Sequence, residues 1–123
     1  MNSRRTATSV SPSPVAYRFD AARTAVAIKD ALDLVTADRG RVSALATRLL
    51  RDLVHLIHTD LLRECEDKYV VAELRRATAF VTGHSKPLPG ESPHEHLQKL
   101  AYETRCMLLS HQLLVGRAEE GVR

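Results

Sequence analysis

Apolar residues recur at helical spacing along most of this chain, and their pattern predicts four helices. In the first, Ala21, Ile28 and Val35 fall on one face behind Asp20, an N-cap residue. We expect this helix to end at about Ala37, before the glycine that follows.

The second predicted helix is the longest, from about Arg41 to Asp67. Leucines and other apolar residues cover one broad face of it, and polar residues lie on the opposite side. The opposite side holds Arg48, Arg51, Asp52 and His55. A third, shorter helix is predicted from about Tyr69 to Val81.

A loop rich in proline and glycine, residues 84–91, separates the third helix from the fourth. Ser92 and Glu95 then form a capping box with Pro93 at the first helical position, which predicts a helix start. The fourth helix is predicted to run to about Arg117. The fold class is therefore all-α, either a four-helix bundle or an irregular four-helix array.

The two ends of the chain differ from its middle. Residues 1–16 are rich in Ser, Thr and Pro and have little to bury, so we predict a disordered basic tail. Residues 17–118 are predicted to form a single helical domain, and 119–123 a frayed C-terminus.

The composition excludes some classes of partner. The chain is 44% hydrophobic but only 4% aromatic, with no Trp, which argues against a base-stacking surface. The net charge of +3 owes much to Arg4, Arg5 and Arg18, and no Lys/Arg stripe marks a nucleic-acid footprint. We therefore expect a protein partner or self-association rather than nucleic acid.

Targeting signals are weak in this sequence. No apolar run could span a bilayer, and residues 1–16 lack the apolar segment of a secretory signal, so we expect a cytoplasmic protein without membrane contact. The acid-free opening also resembles a transit peptide, but Pro12 and Pro14 would interrupt a targeting helix. Cys65 and Cys106 belong to no CxxC pair and are predicted to be buried thiols.

An acidic patch is the first candidate for chemistry. Asp60, Glu64 and Asp67 continue the apolar face of the second predicted helix at i, i+4 and i+7. Such carboxylates could bind a cation or a basic partner. The alternative is that the long helix outruns the core, which leaves its last turns in solvent.

Histidines near that patch suggest a ligand or metal site. His58 borders the apolar stripe of the second helix, and His111 lies on the apolar face of the fourth. With Asp60 and Glu64 they form the candidate ligand set, although His111 fits equally well as a hydrogen-bonded core residue. His94 and His96 are predicted to be surface residues.

Sequence signatures of nucleophilic catalysis are missing, and we assign no catalytic residue and no cofactor. The chain has no GxSxG, no phosphate-binding glycine loop and no HExxH. Whether it is an enzyme stays open, and a non-enzyme is favoured.

A second apolar face distinguishes the fourth helix. It is formed at i, i+4, i+7 and i+11 by Tyr102, Cys106, Leu109 and Leu113. A helix that is apolar on two faces is either central in its bundle or in contact with a partner. These four residues are the candidate interface.

Three segments carry a resemblance to a known family. LVHLIHTDLL, VVAELRRATAFV and LQKLAYETRCMLLSHQLL, within residues 50–114, look like a family of short actinobacterial helical proteins of unknown function. The resemblance implies a helical fold and supplies no site residues.

Two hypotheses for function follow from these patterns. The first is a non-enzymatic interaction module, either a homodimer or a small accessory subunit. The second is a helical bundle that binds a metal or small ligand through the Asp/Glu/His set and is open to a catalytic role.

Overall fold

The structure is a computed structural model that describes residues 17–34 and 38–122, and these residues are helical without any strand. In chain order the helices are α1 (Ala21–Asp33), α2 (Arg39–Ile57), α3 (Asp60–Arg63), α4 (Lys68–Gly83) and α5 (Pro93–Val122). The all-α prediction is confirmed. The predicted disordered tail, residues 1–16, lies outside the described residues.

Side-chain caps begin most of these helices. The carboxylate of Asp20 accepts from the backbone nitrogens of Ala22 and Arg23, and Asp38 caps α2 in the same way. At α5 the Ser92 hydroxyl accepts from the Glu95 nitrogen at 3.0 Å, and the Glu95 carboxylate accepts from the Ser92 nitrogen at 2.9 Å. The predicted capping box is therefore confirmed.

The predicted long second helix is wrong beyond Ile57, because the chain bends there. Thr59 is extended, and its hydroxyl donates to the carbonyl of Leu56 at 2.9 Å. After this bend the single turn of α3 points Leu62 fully into the core. Asp67, placed by the sequence at the end of the same helix, instead caps α4.

The other predicted helix ends differ by smaller amounts. The first helix was expected to reach Ala37 but ends at Asp33, where Leu34 turns into extended backbone and stays buried. The last was expected to end near Arg117, and α5 continues to Val122.

The core lies between α2 and α5, which make the most extensive contact of any two helices. Helices α1 and α4 each pack against both of them, and α3 packs against α5, α4 and α2. Helix α5 therefore touches every other helix. The largest fully buried apolar side chains are Leu49, Leu53, Leu56, Leu62, Leu97, Leu100 and Met107.

The loop between α4 and α5 depends on one glycine. Gly90 has φ +84°, the left-handed region that favours glycine, beside a turn in which the Glu91 nitrogen donates to the Leu88 carbonyl at 2.9 Å. This turn sets the direction from which the chain enters α5.

We predict that Gly90→Ala lowers the free energy of unfolding by about 1–2 kcal/mol, because an L side chain is strained in the left-handed region. Gly83→Ala is the control. Gly83 lies in the last helical position of α4, with open space around an added Cβ, so alanine should be neutral or slightly stabilising there. Urea denaturation followed by circular dichroism measures both, and equal effects would contradict the strain.

Candidate functional site

The outer face of α5 exposes the predicted interface residues. Tyr102, Leu109 and Leu113 are 54%, 55% and 54% exposed, and Cys106, which lies between them, is half-buried. The four residues are called the α5 stripe below. Since a helix turns by about 100° per residue, the stripe lies roughly opposite the buried side that holds Leu100 and Leu108. Helix α5 is central in its contacts and still leaves this apolar face uncovered by the described residues.

Neighbouring residues hold the ring of Tyr102 at one end of the stripe. The guanidinium of Arg76 on α4 lies 5.9 Å from the ring centroid. That guanidinium is itself held by Glu103, whose carboxylate oxygen lies 3.3 Å from Arg76 Nε. A cation over a ring face attracts it, so the aromatic end of the stripe is oriented before any partner arrives.

A shallow groove of about 330 Å³ continues the apolar surface from α5 to α1. Leu109 lines it from α5, and Ala25 and Leu32 line it from α1. Lys29, Asp33 and other polar groups form its rim, with Arg105 and Gln112 on the α5 side. An apolar centre with a polar rim is the usual anatomy of a protein–protein contact surface.

The candidate ligand residues do not converge on one site. His58 is exposed at the end of α2, where Nδ1 lies 2.8 Å from the carbonyl of Val54. Asp60 is the first residue of the short α3 and Glu64 follows its last, and both are exposed. Within 17–34 and 38–122, no group of three or more His, Cys, Asp or Glu side chains could hold a metal ion.

The predicted acidic patch is wrong for the same reason as the predicted long helix. Asp60, Glu64 and Asp67 continue the apolar face only if the second helix is continuous. The bend at Thr59 takes all three off the line of α2, and the non-helical residues after α3 separate Asp67 from Asp60. The alternative, that the last predicted turns of that helix lie in solvent, is closer to the structure, although Leu62 of α3 is buried.

His111 packs against aromatic rings instead of ligands. The ring of Phe19 stacks on His55 at 4.6 Å between centroids and meets His111 edge-on at 6.2 Å. Burial lowers the pKa of His111, and the nearby His55 lowers it further. A neutral imidazole in a half-buried aromatic contact is a packing residue.

The surface prediction for His94 and His96 is wrong. His94 is half-buried, and its Nε2 lies 2.8 Å from the carbonyl of Leu34 on the first segment. His96 is only 3% exposed, and its Nε2 lies 2.8 Å from the carbonyl of His84. Each ring satisfies a carbonyl that follows a helix end, which ties the start of α5 to the loops around it.

Among polar residues, Asp52 differs most from its predicted environment. It was assigned to the polar side of its helix, but its side chain is only 1% exposed. Its carboxylate accepts from the Tyr17 hydroxyl at 2.6 Å and from the Thr24 hydroxyl at 2.8 Å, with Arg48 Nε at 3.4 Å. The segment before α1 and α1 itself cover this side of α2. The periodicity of α2 alone cannot show that another part of the chain buries its polar side.

These hydrogen bonds give Asp52 a structural role. Burial and the hydrogen bond to Asp52 raise the pKa of Tyr17 above its ordinary value, so the phenol remains a donor. A buried carboxylate with three donors is satisfied internally. Its role is to join the chain before α1 to α2.

Glu91 is a second internal anchor, in the loop before α5. One oxygen accepts from His84 Nε2 at 2.6 Å and from the Leu88 nitrogen at 3.1 Å, and the other accepts from Lys99 Nζ at 2.7 Å. The hydrogen bonds from Lys99 and His84 lower the pKa of Glu91 to about 2. The loop is thereby tied to the first turns of α5.

Both cysteines are free and half-buried, whereas buried thiols were expected. Cys65 packs against the core beside α3. Cys106 lies on the α5 stripe, where its thiol is partly accessible.

Two further findings bear on the class of protein. In the part of the chain that the structure describes, no helix combines the length and apolarity needed to cross a bilayer. Comparison with protein-family models, with curated proteins and with solved structures gives no significant match. Function must therefore be argued from the geometry of this chain.

We predict that Asp52→Asn lowers the free energy of unfolding by about 1–3 kcal/mol, because the amide can no longer accept from every donor that faces it. The matched control is Asp33→Asn, which alters an exposed carboxylate paired with Lys29 at the end of α1. We expect little change from that control. Thermal or urea unfolding measures both, and similar losses would show that Asp52 is not a special anchor.

Acid should weaken the loop anchor in a defined pH range. The folded-state pKa of Glu91, about 2, lies below its ordinary value of 4.5, so protonation favours the unfolded chain. The stabilisation is complete above pH 4.5 and is lost as the pH falls toward 2.

We therefore expect Glu91→Gln to be less stable than wild type at pH 7, with the difference shrinking as the solution is acidified. Unfolding midpoints measured across this range test it, with Glu66→Gln, an exposed acid after α3, as the control. A difference that stays constant with pH would contradict the assignment.

Proposed function

We propose that this chain is a non-enzymatic protein–protein interaction module and that the α5 stripe is its contact surface. The observation that carries the proposal is a row of three large apolar side chains, Tyr102, Leu109 and Leu113, each more than half exposed, with the half-buried Cys106 between them, on the helix that touches every other helix. Clustered exposed apolar residues of this kind mark interaction sites more often than scattered ones do.

Burial of the α5 stripe by a partner would be favourable in free energy. Burying apolar surface contributes about 25 cal/mol per Å², and aromatic residues are enriched among those that dominate binding. Tyr102 is such a residue, and its ring is already held by Arg76. Less conformational entropy is lost on binding when the anchor is fixed beforehand.

The polar groups with unusual surroundings support a structural use rather than chemistry. Asp52 and Glu91 each accept three hydrogen bonds from within the chain, and both join elements of the fold. A catalytic acid or base needs a face that can reach substrate. The rigid scaffold that these anchors build is what a docking helix requires.

Placement of α5 also suits a role in assembly. Because α5 packs on α2, α1, α3 and α4 along its inner side, a partner on the outer side would contact the best-supported helix of the domain. The partner is either a second copy or a larger protein to which this chain is an accessory subunit.

Replacing one stripe residue should abolish association without harming the fold. Leu109→Glu places a charge at the centre of the α5 stripe, where a 55% exposed side chain has little packing to lose. The control is Val26→Glu on α1, equally exposed at 60% but away from the stripe.

We expect wild type and Val26→Glu to associate and Leu109→Glu to be monomeric, with all three melting alike at concentrations low enough for wild type to be monomeric. The measurements are native mass spectrometry of purified protein and size separation after mild cross-linking in extract of the source cells. A monomer mass for wild type under both conditions would overturn the proposed function.

A further inference from the structure

A cavity of about 670 Å³ lies where α2 passes the loop between α4 and α5. Residues of α2 form part of its lining, residues of the loop form another part, and the first turn of α5 contributes the rest. Its volume falls within the range of about 300–1,000 Å³ that is usual for small-molecule sites. None of its lining residues belongs to the α5 stripe, so it is a separate feature of the domain.

Much of the lining of this cavity is apolar. On α2, Val42, Ala46 and Leu50 recur every four residues and therefore lie on one side of the helix. The loop and the start of α5 contribute Pro87 and Pro93, which have no N–H to donate. A molecule that fits against these walls has an apolar body.

Two cations also line the cavity, and no carboxylate of the described residues pairs with either. Arg39 is the first residue of α2 and Lys86 belongs to the loop, and both are exposed. By contrast Arg41, two positions further along α2, is paired with Asp30 at 3.8 Å. Since no acid lines the cavity either, its ligand is expected to carry a negative charge.

His96 adds a deeply buried polar group to the same cavity. The residue is 3% exposed, its ring stacks on Phe80 with 5.9 Å between centroids, and its Nε2 lies 2.8 Å from the carbonyl of His84. Because a carbonyl only accepts, Nε2 carries the proton, and Nδ1 of the neutral ring is an acceptor. Within the described part of the chain nothing donates to Nδ1. A hydroxyl group on the ligand would satisfy this buried nitrogen.

The loop side of the cavity is held in place before any ligand binds. Glu91 accepts from His84 Nε2 at 2.6 Å and from Lys99 Nζ at 2.7 Å. These bonds join the two ends of the segment that carries Ser85 and Lys86, and they fix it to the start of α5. Less conformational entropy is therefore lost on binding than with a free loop.

We propose that this cavity binds a small organic acid with an apolar body, whose anionic group contacts Arg39 and Lys86 and whose hydroxyl group donates to His96 Nδ1. The two cations are exposed and the imidazole is buried, so the anionic end of the ligand faces solvent and the hydroxyl end points inward. The proposal goes beyond the interaction role of the α5 stripe and does not depend on it, because the two surfaces share no residue.

Titration of the full chain with three related probes tests the class of ligand. The probes are phenylpropionate, its para-hydroxy derivative, and the uncharged amide of that derivative. Proton–nitrogen correlation NMR follows the backbone amides. With the hydroxy acid we expect saturable shifts at Ser43, Thr47 and Ser85 at millimolar concentrations, a range that a ligand of about 12 non-hydrogen atoms can reach. The other two probes should bind at least about threefold more weakly, because one lacks the hydroxyl group and the other lacks the charge.

Removal of the cations tests the assigned residues. Arg39→Gln with Lys86→Gln should raise the dissociation constant of the hydroxy acid at least about fivefold and leave that of the amide unchanged. The matched control is Arg63→Gln with Arg75→Gln, which lowers the net charge equally at two exposed positions outside the cavity. Circular dichroism checks that both double variants are folded.

The contact with His96 has its own spectroscopic readout. The Nδ1 resonance of His96 should shift when the hydroxy acid or its amide binds, and it should stay in place with phenylpropionate. A shift of the same size with all three probes would contradict a hydrogen bond from the hydroxyl group.

Three further results would overturn the proposal. Wild type that binds none of the probes has no such site. Equal affinity for all three probes would indicate an unspecific apolar contact, and equal losses in the two double variants would indicate a general effect of net charge. Binding of the hydroxy acid by Leu109→Glu at wild-type affinity is the expected sign that the cavity is independent of the α5 stripe.

Discussion

The packing of α5 along α2 is the contact on which the other helices depend. Leu49, Leu53 and Leu56 of α2 are fully buried, as are Leu97, Leu100 and Met107 of α5. Helices α1 and α4 each rest on both members of this pair. Because α5 is 30 residues long and the other described helices occupy only its inner side, packing among residues 17–34 and 38–122 leaves its outer face uncovered.

Hydrogen-bonded polar residues hold the parts of the chain that lie outside this apolar layer. Asp52 holds the segment before α1, Glu91 holds the loop before α5, and His94 and His96 donate to carbonyls at the ends of earlier elements. Each is buried or half-buried. Asp52 and His94 bond to distant parts of the chain, whereas Glu91 and His96 bond to residues close in sequence. The domain is therefore fixed at its ends by a few hydrogen bonds, and its centre by leucine packing.

The sequence was informative where local chemistry decides the structure. Asp20, Asp67 and the Ser92–Glu95 pair all cap helices, although the sequence predicts Asp67 as the last residue of the second helix and not as the cap of the next. Helical periodicity predicted both faces of α5.

The sequence does not predict the bend at Thr59, because the apolar spacing continues through it. A hydrogen bond from a threonine hydroxyl to the carbonyl of Leu56 does not change that spacing. The burial of Asp52 and His96 and the separation of the predicted ligand residues depend on which helices pack together. The periodicity of a single helix does not carry that information.

The start of the described chain and the α5 stripe occupy opposite sides of α5. Tyr17 and Phe19 lie against α2 and near His111, and His111 is about half a turn around α5 from the stripe. An affinity tag or fluorescent protein attached ahead of Tyr17 would accordingly project away from the apolar face. The same fusion placed after α5 would sit beside the terminal charges, so the choice of tagged end decides whether a binding assay sees the native surface.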